Sequence, residues 1–108
     1  VLILNACPHI ELQRKRAKIL NDAGYYTSSA RTTDEVAELL RMPCALAVVC
    51  YEFTPVEQRA IQAQLAHESP GTLLLMMDHA MDADPKSFLL KVKKALYKLE
   101  VREDEKSA

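Results

Sequence analysis

"VLILNACP", residues 1–8, opens on an apolar run and ends on a short polar corner closed by proline. Residues 1–4 contain no polar position and two β-branched side chains. That pattern belongs to a strand buried on both faces of a parallel sheet. Pro8 stands where a helix begins, because the first turn of a helix does not need its missing N–H. A strand, a corner and a helix start follow one another directly, as in a β-α unit. The corner itself holds Asn5, Ala6 and Cys7.

The same alternation continues along the chain. A helix is predicted over residues 9–23. Leu12, Ala17, Ile19, Leu20 and Ala23 face inward, and Gln13, Arg14, Lys15, Lys18 and Asp22 lie mainly outward. Gly24 ends it as a C-terminal cap. Residues 25–29 form a weaker strand. Thr32 or Thr33 caps a second helix, with Glu35 near its start. Its inner face is Val36, Ala37, Leu39 and Leu40, and Pro43 closes it. Residues 45–51, "ALAVVCY", are another wholly apolar strand. A third helix runs from Pro55 through Ala66 with Val56, Ile61 and Leu65 inward. Pro70 and Gly71 make a turn. Residues 72–77, "TLLLMM", are again a buried strand, and residues 78–84 are a polar interruption. Pro85 opens a last helix to about Glu100, with Phe88, Leu89, Val92, Leu96 and Leu99 inward. Residues 101–108 are a polar tail after a domain spanning 1–100.

This β-α-β-α-β-α-β-α order predicts a three-layer α/β/α, doubly wound parallel sheet. Ligands of such sheets bind at the carboxyl ends of the strands, where the strand order reverses. Asn5 to Cys7, Cys50 to Glu52, and Asp78 with His79 are all expected at that edge.

Bulk composition limits the function classes. The 108 residues suit a single domain with one core. Acidic residues number 15 and basic residues 14, so no strong field calls for nucleic acid or an anionic membrane. No apolar run approaches the roughly 20 residues needed to cross a bilayer, and no secretory pattern is visible. A first residue other than Met is the expectation for a domain cut from a longer protein. Three irregularly spaced cysteines do not form a disulfide framework. A reducing, cytoplasmic setting is expected.

Residues 1–98 resemble the receiver domain of bacterial two-component response regulators. "VLILNACP" is similar to the receiver pattern V-L-I-V-D-D-D-P. "ILNDAGYYTSSARTTDEVAELL" is similar to L-x-x-x-G-Y-x-V-x-x-A-x-x-x-x-E-A-L-x-x-L. "ALAVVCYEF" is similar to D-L-V-L-L-D-x-x-M, and "DPKSFLLKVKKAL" to the final receiver helix. The resemblance implies a flavodoxin-like sheet of order 2-1-3-4, with the fifth strand short or absent in this chain. It also implies a regulatory role in signalling.

Receivers hold Mg²⁺ with an acidic pair, accept phosphate on an Asp, and carry a Thr or Ser and a Lys further on. The chemistry demands these types, since Mg²⁺ wants oxygen ligands and phosphoryl transfer needs its charge neutralised. The acidic pair maps onto Asn5 and Ala6. The acceptor maps onto Cys50, or onto Tyr51 when Pro55 sets the alignment. Asp78 falls near the Thr/Ser position. The Lys has no counterpart, because "DHAMDADP" leaves only a few residues where a receiver has its fourth helix and fifth strand, and Lys86 follows Pro85 instead of preceding it. The expected product is a pseudo-receiver: non-catalytic, not phosphorylated on Asp, requiring no cofactor, and acting through a protein partner or a homodimer. Its apolar "TLLLMM" strand becomes an edge if the fifth strand is missing, and an uncovered edge invites pairing. Receivers commonly dimerise on that side.

The cysteines carry the alternative. A thiol at a helix start, such as Cys7, is acidified and can meet phosphate. The phosphatase pattern C-x₅-R places Gln13 where Arg is required, with Arg14 one residue late and no Gly in the loop. Phosphotransferase-system IIB domains carry a similar cysteine without that Arg. Cys7, Cys50 and His79, with His9 nearby, are also soft or imidazole ligands that could converge at the sheet edge, although no zinc spacing is present. A regulatory disulfide between Cys7 and Cys50 is a further option. The second expectation is therefore a cysteine-based phosphocarrier or metal/redox sensor. The basic stretches at 13–18 and 91–98 are expected on solvated helix faces, and Tyr25, Tyr26, Tyr51 and Tyr97 are too scattered for a stacking platform.

Overall fold

The computed structural model describes residues 2–107, with side chains described for residues 2–98. Val1 in the first strand, the inward Leu99 and the side chains of the polar tail lie outside the described residues. Among the described residues nine elements follow in order: β1 (Leu2–Ala6), α1 (Ile10–Asp22), β2 (Tyr26–Ala30), α2 (Thr33–Leu39), β3 (Leu46–Val49), α3 (Pro55–Glu68), β4 (Leu73–Met76), α4 (His79–Ala83) and α5 (Pro85–Ser107).

The strands form one parallel sheet of order β2-β1-β3-β4. No fifth strand occurs among the described residues, so β4 is an edge. Alternate residues of the two central strands feed two cores. Leu4, Ala6, Ala47 and Val49 pack with Val36, Leu40, Ile61 and Leu65 of the α2 and α3 side. Ile3, Leu46 and Val48 pack with Leu20, Met81, Phe88 and Val92 of α1, α4 and α5. Helices thus cover both faces, as the continuous apolar runs of β1 and β3 require.

Local signals position the elements. The Thr32 side chain accepts from the Glu35 N–H and starts α2. Thr54 and Glu57 form a reciprocal capping box at α3. After α1, Gly24 adopts φ +94°, the Gly24 N–H bonds the Asn21 carbonyl and the Tyr25 N–H bonds the Leu20 carbonyl. This is a Schellman end, and the left-handed position admits glycine without a Cβ penalty.

Several expectations are corrected. The interruption at 78–84 contains a helix, α4, capped by the Asp78 side chain and anchored by buried Met81. Helix α5 starts at Pro85 and continues past Glu100 to Ser107. Val56 is exposed, because it lies in the first turn of α3 ahead of the stripe formed by Ile61 and Leu65. Ala23 is exposed as the α1 cap. β4 is only partly covered, with Leu74 exposed, because no strand lies beyond it. Within the basic stretch at 13–18, Gln13 and Arg16 are buried instead of solvated. No helix among the described residues is long and apolar enough to cross a membrane.

Candidate functional site at the carboxyl ends of β1 and β3

The strand order reverses between β1 and β3, and the residues just past these strands meet there. Ala6 pairs with Val49. The next residues, Cys7 and Cys50, are both fully buried, and their Sγ atoms lie 3.1 Å apart. Both are free thiols. The Cys50 backbone N–H bonds the Ala6 carbonyl, which continues the ladder to this point.

Helix α1 supplies polar groups to the same place. Asn5, fully buried, donates through Nδ2 to the Gln13 carbonyl at 2.9 Å and to Ser29 Oγ at 3.4 Å. Gln13 Nε2 reaches the Cys7 carbonyl at 3.4 Å. Arg16 is wholly buried, and its Nε and Nη2 bind Asp82 of α4 at 2.9 and 2.5 Å. Asp82 also accepts from the Tyr51 hydroxyl at 2.7 Å, and the Arg16 guanidinium lies 5.5 Å from the Tyr51 ring centre. Two buried atoms here, Asn5 Oδ1 and Arg16 Nη1, have no hydrogen-bond partner among the described residues.

Charges in this cluster are strongly interdependent. The hydrogen bond from Cys7 lowers the Cys50 thiol against its burial, helped by the Glu52 N–H at 3.4 Å and by Arg16. The same hydrogen bond, with burial, raises Cys7. Burial opposes the Arg16 charge, but Asp82 and Cys50 outweigh it and hold the guanidinium protonated. Burial also opposes the Asp82 carboxylate, and Arg16 and Tyr51 overcome it, so the carboxyl falls below its usual range. The bond to Asp82 pushes the Tyr51 phenol up to about 12. The arrangement can stabilise one thiolate beside one thiol in the buried interior.

The residues singled out in the sequence are distributed unevenly. Cys7 and Cys50 come together, with Asn5 and Ala6 at the end of β1. His79 does not join them; it is exposed on α4 and stacks on Tyr51 with ring centres 4.0 Å apart. Asp78 caps α4 through Met81 N at 2.8 Å and faces Lys91 at 3.6 Å. His9 caps α1 by accepting from the Leu12 N–H. Among the described residues, no three His, Cys, Asp or Glu side chains group in a way that could hold a metal ion. The expected convergence of His79 with the cysteines fails because α4 turns its ring onto Tyr51.

Arg16, Asp82 and Gln13 were missed. Arg16 stands four residues from both Leu12 and Leu20, at the centre of the inner stripe of α1, and spacing alone could have found it. Its charge argued for the surface. Asp82 carries no comparable signal, because its partner is 66 residues away.

No protein-family model matches the sequence, and no curated protein matches it. Among solved structures, the chain is similar to the signal receiver domain of an HD domain-containing protein from Pseudomonas fluorescens Pf-5. The TM-score is 0.79 at 14% identity, covering 95% of this chain and 91% of that one. At that identity the likeness shows the fold, which is receiver-like and flavodoxin-like.

Proposed function

We propose that this receiver-like fold serves as a signalling domain that binds another protein chain and is not phosphorylated on aspartate. The strand ends that would hold Mg²⁺ and phosphate carry Asn5, Ala6 and Cys50, which offer no carboxylate. Asp78 and Asp82 are engaged in capping α4 and in the Arg16 pair.

The observation that carries the reading is an open groove of about 440 Å³ along the free edge of β4. Its walls are Leu73, Leu74 and Leu75 on one side and Lys91, Lys94 and Lys98 of α5 on the other. An edge strand offers unpaired backbone groups, and an extended segment can add to it as a further strand. The lysine row favours an acidic segment. Pairing β4 with β4 of a second copy would bring two such rows together, so charge disfavours that homodimer.

Two measurements test this. The first is intact mass after Mg²⁺ and a small-molecule phosphodonor, beside a competent receiver; an unchanged mass is expected. The second is anisotropy of a labelled extended peptide alternating valine and glutamate. Saturable binding lost in Leu74→Glu and Lys94→Glu supports the reading. A stable aspartyl-phosphate adduct, or binding indifferent to both substitutions, overturns it.

A further inference from the structure

We infer that Cys7 and Cys50 form a redox site that takes a small hydroperoxide as oxidant and closes to a disulfide, with Arg16 as its positioning residue. The inference stands apart from the docking reading above.

Three observations carry it. The first is register. Cys7 follows Ala6 as Cys50 follows Val49, on paired neighbouring strands. Neighbouring strands lie roughly 4.8 Å apart, within the Cα separation that a disulfide spans. The two Sγ atoms already face each other at 3.1 Å. Closing the bond therefore needs no rearrangement of the sheet.

The second is the polar surroundings of Cys50. Its sulfur accepts from the Cys7 thiol and from the Glu52 N–H, and lies beside the Arg16 guanidinium. Nε and Nη2 of Arg16 are committed to Asp82, while the buried Nη1 has no hydrogen-bond partner among the described residues. A cation beside a thiol favours the thiolate, which is the nucleophilic form. Cys44 supplies the contrast. It bonds Thr72, and burial raises its thiol.

The third is burial, which selects the oxidant. Neither sulfur is exposed, so a bulky disulfide cannot approach in line. Hydrogen peroxide is little larger than water. Beside Arg16, α4 is a five-residue helix held to α1 by the Arg16–Asp82 pair.

The chemistry balances without further reagents. The Cys50 thiolate attacks one peroxide oxygen, the O–O bond breaks and hydroxide leaves, so Cys50 becomes a sulfenic acid. The hydroxide takes the Cys7 proton and becomes water. The Cys7 thiolate then attacks the Cys50 sulfur and expels a second hydroxide, which takes up the proton Cys50 had shed. Two thiols and one peroxide give one disulfide and two waters, with two electrons passing from sulfur to oxygen.

Native protein is exposed to hydrogen peroxide, unfolded in alkylating reagent and weighed. The expected result is a loss of about 2 Da and one remaining alkylatable thiol, on Cys44. Cys44→Ser should still close the disulfide. Cys7→Ser should leave a sulfenic acid on Cys50 that a dimedone probe captures. Cys50→Ser should leave Cys7 reduced. Arg16→Met, where it folds, should move the pH midpoint of the oxidation rate upward, a change that a purely structural Arg16 would not produce. Three alkylatable thiols in oxidised wild type would overturn the inference. Disulfides through Cys44, or equal oxidation of Cys7 in Cys50→Ser, would overturn it as well.

Discussion

Arg16 and Asp82 make a two-point ion pair with Arg16 sealed from solvent: the side chains are 1% and 11% exposed. The pair ties the middle of α1 to α4, across 66 residues of sequence. Asp82→Ala would leave a buried guanidinium without its counter-charge, and removing one partner of such a pair costs about 3 kcal/mol. Urea unfolding should show the loss as a lower midpoint at unchanged slope. Replacing both residues, as Arg16→Met with Asp82→Leu, should cost less than Asp82→Ala alone.

The same pair makes stability sensitive to acid. Burial raises the Asp82 carboxyl, but Arg16 and Tyr51 prevail and its folded pKa is depressed. Its unfolded value is about 3.9. Its contribution is therefore present above that pH and is lost as pH falls through the lower folded value. The urea midpoint should drop below roughly pH 4, and Asp82→Asn should remove this part of the pH dependence.

Tyr51 gives the opposite sign at the alkaline end. Its bond to Asp82, then burial, raises the phenol to about 12, against about 10 when unfolded. The contribution is complete below the unfolded value and fades as pH climbs toward the folded one. Ultraviolet titration of the four tyrosines should show one ionising about two units late. That late step should vanish in Tyr51→Phe.

At the start of α3, Thr54 Oγ1 accepts from the Glu57 N–H at 3.2 Å, and Glu57 Oε1 accepts from the Thr54 N–H at 2.9 Å. Thr54→Ala should cost about 1 kcal/mol. Thr54→Ser, which keeps the oxygen, should stay close to wild type in the same urea assay.

Leu74 projects from the β4 edge and is 39% exposed. Leu74→Glu should change stability by no more than about 0.5 kcal/mol. It should nevertheless abolish binding of an acidic strand by setting like charges face to face. Thermal unfolding and peptide anisotropy on one preparation separate the two effects.

The fold was legible because its signals are local. The apolar runs in β1 and β3, Gly24 after α1 and the prolines at 55 and 85 each act within a few residues, whereas Pro8 stands ahead of the His9 cap and α1 begins only at Ile10. Together they order the elements. Helix α4 escaped because five residues are too few to display a period. Its only apolar anchor of any size, Met81, sits among Asp78, Asp82 and Asp84.

The site divides in the same way. The chain itself determined that no carboxylate stands at residues 5, 6 or 50, and that cysteines follow β1 and β3. Residue type and strand order are written in the sequence. Only the tertiary structure decided that those cysteines face each other, that Arg16 turns inward to them, and that Asp82 crosses from α4 to meet it. A charged side chain is placed by the energy of its partners once water is removed. Those partners come from β1, β3, α1 and α4, which touch only when the sheet has been assembled.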